Sequence, residues 1–146
     1  MKKTYTLIAL LGLLVTMAVA ANAQIAGRSQ LRANIPFEFN VGDKTLPAGE
    51  YRVAQVNASS DQVILQISPT AGGRTAMLQM NWVKAKSANG SMLVFHRYGD
   101  KYFLAQTWID GESDGLAAPK SRTERVTQKE LASMKARTET VQLRTR

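Results

Sequence analysis

The residues best suited to chemistry lie on two neighbouring apolar runs near the centre of the chain. His96 is the only histidine, and it shares one side of the first run with Tyr98. If the runs form a hairpin in which Tyr98 faces Tyr102, Gln106 and Trp108 join that side. Aromatic rings offer stacking area, while imidazole and amide groups orient a ligand by hydrogen bonds. This pattern predicts a ligand-binding face of five residues.

A competing interpretation buries the same face inside the protein. The opposite side of the hairpin is apolar and is expected to face the core; it carries Leu93, Phe95, Phe103, Ala105 and Ile109. A short C-terminal helix bearing Leu131 and Met134 would then cover the mixed aromatic and polar side. We favour this packing interpretation, because aromatic strand residues are usually buried.

The sequence lacks the patterns of triad hydrolases, thiol enzymes and metal sites built from cysteine or several histidines. A Ser-His-Asp triad uses a histidine as its base, and no nucleophile-elbow motif accompanies His96. The chain contains no cysteine, which excludes thiol catalysis, disulfides and cysteine-ligated zinc. One histidine also cannot form a multi-histidine metal site. We therefore predict no catalytic residue, no metal site and no cofactor.

The acidic segment Asp110–Gly115 has the spacing found at the start of a calcium loop. Oxygen-bearing side chains occupy its first, third and fifth positions, and glycine occupies the sixth. The third position is Glu112 rather than Asp or Asn, and the twelfth is Ser121 rather than glutamate. No helix pattern precedes the segment. We expect a solvated loop over residues 110–119.

A hydrolase acting on an envelope polymer is an alternative to a binding protein. Glycoside hydrolysis requires two carboxylates at a defined separation. The candidate carboxylates are scattered over strands and turns: Glu38, Glu50, Asp61 and Asp100. Their spacing fixes no separation, so this alternative has no assigned residues.

The first 23 residues have the features of a cleavable secretory signal peptide. Lys2 and Lys3 precede an apolar run of 15 residues, shorter than the ~20 that a bilayer span needs. Ala21-Asn22-Ala23 fits the small-x-small pattern of a cleavage site, and a second such triplet ends at Ala20. We expect export to the periplasm or the extracellular space, with Gln24 as the mature N-terminus and no remaining transmembrane span.

Alternating apolar and polar side chains predict a mainly β domain over residues 24–118. The alternation is strongest between Leu31 and Val41, where Pro36 indicates an edge strand or a bulge. Five further strands are expected near residues 50–56, 63–67, 75–83, 92–98 and 102–109. Their spacing and the turn signals between them are typical of an antiparallel β-sandwich or small barrel.

Residues 119–146 form a basic C-terminal segment that we expect to pack on the same domain. This segment has eight Lys and Arg against three Asp and Glu, whereas residues 24–118 have nine against eight. Thr127 and Glu130 have capping-box spacing, which predicts a short helix over residues 128–137. The alternation around Val141 and Leu143 indicates a last short strand.

The basic segment makes anionic envelope components its candidate partners. It contains no Phe, Tyr or Trp, so it lacks the interleaved basic and aromatic residues typical of nucleic-acid binding. Nucleic acid is therefore disfavoured as a partner. The simpler interpretation of the charge is a solvated helix that keeps the protein in solution.

Two segments carry a signature of the form PF-x-F-x-VG … LPAG-x-Y-x-V. They are Ile35-Pro-Phe-Glu-Phe-Asn-Val-Gly42 and Leu46-Pro-Ala-Gly-Glu-Tyr-Arg-Val53. The chain resembles a family of small exported bacterial proteins of unknown function that share this signature, and residues 93–99 and 102–104 are similar to the family's second half. The resemblance implies a β domain behind a signal peptide, and it brings no catalytic residue, cofactor or substrate. We expect Leu46 and Tyr51 to fill the core around the Pro-Gly turn.

The leading functional expectation is an exported, non-catalytic binding or structural module of the envelope or the extracellular space. The alternatives are the hydrolase described above and a protein that binds anionic surfaces through its basic C-terminal segment.

Whichever of these functions applies, one small core must hold the fold together without disulfides. The residues expected to be buried in it are Phe37, Phe39, Leu46, Tyr51, Phe95 and Phe103.

Overall fold

The computed structural model describes residues 31–56, 63–84, 90–132 and 136–145. The predicted signal peptide, both of its cleavage sites, Asp61 and Met134 lie outside these residues. The described part contains ten strands: β1 Leu31–Ile35, β2 Phe39–Val41, β3 Lys44–Leu46, β4 Gly49–Val56, β5 Val63–Pro69, β6 Ala76–Lys84, β7 Met92–Tyr98, β8 Lys101–Trp108, β9 Asp114–Ala117 and β10 Arg137–Thr145. It also contains one helix, α1, over Arg122–Glu130.

Eight of the strands close into an antiparallel barrel in the order β8-β7-β10-β1-β4-β5-β6-β9. The ring is completed where β9 returns to β8 and Gln106 pairs with Ala117. The β2–β3 hairpin lies outside the ring and joins β8 through one parallel pairing of Asn40 with Phe103. The expected antiparallel β fold with a short C-terminal helix is therefore confirmed, and it is a barrel rather than a sandwich.

Alternate strand residues fill the interior of the barrel. The ring of Phe39 meets the rings of Tyr51 and Phe95 edge-on, with centroids 5.2 and 5.5 Å apart. Five of the six side chains expected in the core are buried: Phe39, Leu46, Tyr51, Phe95 and Phe103. The sixth, Phe37, is half-buried and packs against the core. The expected place of Phe103 on the core side is wrong, because it pairs with His96 on the outer side of the barrel and its ring lies 5.9 Å from that of Tyr98.

The LPAG turn lies between β3 and β4, and the tyrosine that follows it closes the turn. Leu46 and Tyr51 are both buried, as expected. The hydroxyl of Tyr51 donates a hydrogen bond to the carbonyl oxygen of Pro47 at 2.6 Å. The motif therefore has a structural role in this chain, since its buried side chains fix the entry into β4.

Pro36 marks the end of a strand rather than the edge of a sheet. The single strand expected over residues 31–41 is two strands, β1 and β2, separated by residues 36–38. β1 pairs with β4 on one side and with β10 on the other, so it is not an edge strand. Because proline has no N–H group to donate, the ladder ends before it and the chain changes partners.

Helix α1 begins and ends earlier than the sequence pattern indicated, so the expected bounds of 128–137 are wrong. Ser121 is the N-cap, and its hydroxyl accepts the backbone N–H of Glu124 at 3.1 Å. The segment Ser121–Glu124 has the same capping spacing as Thr127–Glu130, and the earlier pair is the one that starts the helix. Among the described residues, no helix is both long and apolar enough to cross a membrane.

The sequence pattern missed strand β9 and predicted strand β10 too short. The expected loop over residues 110–119 contains β9, which pairs with both β6 and β8. The expected last strand is longer than the pattern near Val141 and Leu143 suggested, because β10 runs from Arg137 to Thr145. It lies between β7 and β1, so the basic C-terminal segment supplies a wall of the barrel.

Candidate functional site

Strands β7 and β8 form the predicted hairpin, but with a tighter turn. Tyr98 pairs with Lys101 instead of Tyr102, which leaves a turn of two residues. A bulge in β8 then restores the expected pairing of Val94 with Gln106. The predicted register is therefore wrong beside the turn and correct at the far end of the hairpin.

The tighter turn removes Tyr102 from the predicted ligand-binding face. Its ring stacks on Phe37 with centroids 3.9 Å apart, at the edge of the core. The guanidinium of Arg97, its cross-strand partner, lies 5.2 Å from the centre of the same ring. The other four residues of that face, which are His96, Tyr98, Gln106 and Trp108, stay on the outer side of the barrel.

Helix α1 covers the end of this outer side that lies nearest the turn. The carboxylate of Glu124 is 2.8 Å from Nδ1 of His96, and it accepts the hydroxyl of Tyr98 at 3.2 Å. Tyr98 is only 2% exposed, and Thr127, one turn along the helix from Glu124, is buried as well. The packing interpretation therefore holds for Tyr98, although the covering side chains are polar.

The far end of the face is occupied by a packed tryptophan. Trp108 is half-buried, and its indole N–H donates to the side-chain oxygen of Gln106 at 3.2 Å. Its ring lies against Gly115 so closely that a Cβ atom there would come within 2.3 Å of it. Trp108 thus holds β9 against β8, and the oxygen of Gln106 is already engaged.

A second contact fixes the start of α1. Asp43, in the turn between β2 and β3, accepts the backbone N–H of Thr123 at 3.1 Å and its hydroxyl at 2.8 Å. The backbone hydrogen bond, followed by the hydroxyl hydrogen bond, lowers the pKa of Asp43 from its usual value. The helix is therefore tied to β7 through Glu124 and to the β2–β3 hairpin through Asp43.

Glu124, His96 and Tyr98, which we call the Glu124 cluster, pair a carboxylate with an imidazole. In hydrolases such a pair activates a serine or cysteine. Here the third group is a phenol, and burial, the charge of Glu124 and the hydrogen bond to it raise the pKa of Tyr98 to about 12. A buried phenol that keeps its proton is a poor nucleophile, so the cluster is suited to holding α1 on the barrel.

Raising the pH above about 10 should weaken the fold through Tyr98. A tyrosine in the unfolded chain loses its proton near pH 10, whereas Tyr98 in the folded protein keeps it up to a pKa of about 12. Between these values the unfolded chain binds fewer protons, so the free energy of unfolding falls as the pH rises. Denaturant titrations from about pH 9 to about pH 11 measure this slope.

The variant Tyr98→Phe provides the control for this measurement. It should flatten the decline in stability without abolishing it, because burial also raises the pKa of Tyr51. An equally steep decline in Tyr98→Phe would show that the phenol of Tyr98 is not responsible.

The acidic side chains singled out in the sequence are not assembled into a site. Asp110 and Glu112 are exposed, and the carboxylate of Asp114 accepts the hydroxyl of Ser113 at 3.3 Å. Within the described ranges, no group of three His, Asp or Glu side chains could hold a metal ion. The described candidates for glycoside hydrolysis lie on separate elements: Glu38 after β1, Glu50 in β4 and Asp100 in the β7–β8 turn.

A cleft of about 860 Å³ lies beside α1 and collects much of the positive charge of the C-terminal segment. Four basic side chains line it: Lys120, Arg122, Arg125 and Lys129. Its other described lining residues carry no acidic group; they are Tyr98, Val126, Gln128, Ala132 and Ala136. We call this cleft the basic groove.

The spacing of the cations follows the period of the helix. Arg122, Arg125 and Lys129 are three and four residues apart, so they share one side of α1. Glu124 and Thr127 lie on the opposite side and are buried. The buried side of α1 therefore anchors the helix, while the opposite side presents cations to the groove.

Sequence reasoning found the basic segment but neither the groove nor Glu124. The signal for the groove was the spacing of Arg122, Arg125 and Lys129, which the late helix start concealed. The signal for Glu124 was the Ser121 capping pattern three residues before it.

Comparison of the chain with protein-family models, curated proteins and solved structures found no match.

Proposed function

We propose that this chain is an exported, non-catalytic binding module of the envelope or the extracellular space, and that the basic groove is its ligand site. The observation that carries the proposal is the convergence of four cations on one cleft whose described lining has no carboxylate. Cations gathered in a cleft reinforce one another's potential and favour an anionic ligand. Export is supported by the lysine-led apolar run and the small-x-small triplets of the N-terminus.

The contacts that hold α1 also prepare the groove for binding. Glu124 and Asp43 fix the helix to two different parts of the barrel. The backbone that carries the cations is therefore ordered before a ligand arrives, which reduces the entropy lost on binding. Like charges that are held close together in one cleft repel one another, and an anionic ligand relieves this repulsion when it binds. The arrangement therefore favours a binding site over a merely solvated surface.

The alternative of a hydrolase gains no support from the structure. The imidazole of His96 is engaged by Glu124, and the adjacent phenol of Tyr98 keeps its proton. Glu50 lies 3.8 Å from Arg32 in an exposed ion pair. These groups are arranged for structure, whereas no groove cation forms an ion pair with a described carboxylate. The charge of Arg125 also contributes to the lowered pKa of Asp43.

Neutralising two groove cations should weaken the binding of an anionic ligand. The double variant Arg122→Gln/Lys129→Gln removes two charges and keeps good helix-forming residues. With heparin as the probe at low salt, we expect its affinity to fall by about tenfold or more, equivalent to ~1.4 kcal/mol. Isothermal titration calorimetry measures the affinity, and a melting curve confirms that the variant is folded.

The matched control is Arg52→Gln/Lys84→Gln, which removes the same charge from exposed positions on β4 and β6. These strands lie across the ring from β7, where α1 is held. We expect the control to bind heparin within about twofold of the unaltered protein. Equal losses in the two variants would mean that overall charge, and not the groove, attracts the probe. Absence of binding to any anionic probe would refute the proposed function.

A further inference from the structure

We infer that the ligand of the basic groove is a linear anionic polysaccharide that lies along α1. This inference rests on the proposed function and names the class of ligand for the same site. The chain would place successive acidic groups against Arg122, Arg125 and Lys129, and its sugar rings against the apolar part of the lining. Three features of the groove support it: the cations form a row, apolar side chains accompany them, and the site is concave.

The cations of α1 form a row rather than a compact cluster. A helix rises 1.5 Å per residue, so Arg122 and Lys129 are separated by ~10 Å along its axis, with Arg125 between them. A single small anion contacts only part of such a row. A chain with repeated charges contacts all of it, and each added contact is intramolecular once the first has formed. The spacing therefore favours a polymer.

The lining of the groove also offers apolar contacts. Val126 is 47% exposed on the cationic side of α1, and Ala132 and Ala136 complete the small apolar part of the lining. Carbohydrate rings present C–H groups that such side chains contact, whereas a chain of inorganic phosphate has none. A charged sugar chain can use both the cations and the apolar side chains of the groove.

Two other classes of polyanion fit the groove less well. Membrane-binding helices insert a row of large apolar side chains, and α1 exposes only Val126 beside its cations in a concave cleft. Single-stranded nucleic acids stack their bases on exposed aromatic rings. The only aromatic residue in the described lining is Tyr98, which is 2% exposed.

The length dependence of binding tests this inference. Heparin-derived oligosaccharides, from disaccharide to octasaccharide, are titrated into the full chain by calorimetry at one salt concentration. We expect the affinity to rise by about tenfold or more with length and then to level off once the oligosaccharide exceeds the cation row. Arg122→Gln/Lys129→Gln should flatten this dependence, whereas Arg52→Gln/Lys84→Gln should preserve it.

Separate probes distinguish failure of the ligand class from failure of the site. Vesicles rich in phosphatidylglycerol and a single-stranded oligothymidylate are tested with the same variants. Tighter binding of either probe than of the octasaccharide, lost in Arg122→Gln/Lys129→Gln, would overturn the polysaccharide while the proposed anion-binding function stands. Equal affinity for the disaccharide and the octasaccharide would also overturn it. If none of the probes binds, both the ligand class and the proposed function fail.

Discussion

Replacing Phe39 with alanine will lower the free energy of unfolding by about 3–5 kcal/mol. Phe39 is fully buried, and its ring meets those of Tyr51 and Phe95 edge-on. Its removal loses the burial of a large apolar side chain and leaves a cavity that rigid neighbouring strands cannot fill. The loss is a large part of the ~5–15 kcal/mol that stabilises a typical domain. Equilibrium denaturation with urea measures it.

Phe37→Ala is the matched control for this prediction. The same side chain is deleted, but Phe37 is half-buried and stacks on Tyr102 at the edge of the core. Its loss should therefore destabilise the protein clearly less than Phe39→Ala does. Equal destabilisation would contradict the view that β2, although outside the ring of eight strands, delivers a central core residue.

The faces of most strands were predictable because side chains alternate along a strand regardless of its partners. The alternation correctly placed Leu31, Ala33 and Ile35 in the core, together with Tyr51 in β4. The hairpin of β7 and β8 was predictable because its two apolar runs are joined by a short Gly-containing turn. These features depend only on residues close together in the sequence.

Closure of the barrel was not predictable from local pattern. β9 has only four residues, and it contains Asp114 and Gly115, which are uncommon in strands. It forms because β6 and β8 offer ladders on either side and because Trp108 packs against Gly115. Which strands pair across the ring depends on contacts distant in sequence, so the pattern left a sandwich and a barrel equally open.

The candidate site was hidden for a similar reason. A glutamate on a short basic helix has the pattern of a solvated residue, and burial of Glu124 follows only from its partners. His96 and Tyr98 are 28 and 26 residues away from it along the chain. The helix was expected to start at Gln128, six residues after its observed start at Arg122, and this separated the cations that line the groove.

Replacing Glu124 with alanine will release α1 from the barrel. The substitution removes the partner of His96 and leaves the buried hydroxyl of Tyr98 without its acceptor. Hydrogen bonds to a charged group contribute about 1.5–3 kcal/mol, and a buried polar group left unpaired adds a desolvation cost. We expect trypsin to cleave after Arg122 and Arg125 much faster than in the unaltered protein, because cleavage requires local opening of the helix.

Glu130→Ala is the control, because it removes the same charge from an exposed position on the same helix. It should leave the cleavage rate nearly unchanged, and equal acceleration in both variants would show that the Glu124 cluster does not hold α1.

The same pair of variants connects the fold to the proposed function. Glu124→Ala keeps all four groove cations but loses their fixed positions, so it should weaken heparin binding where Glu130→Ala does not. Unchanged binding in Glu124→Ala would mean that the cations act without the ordered helix.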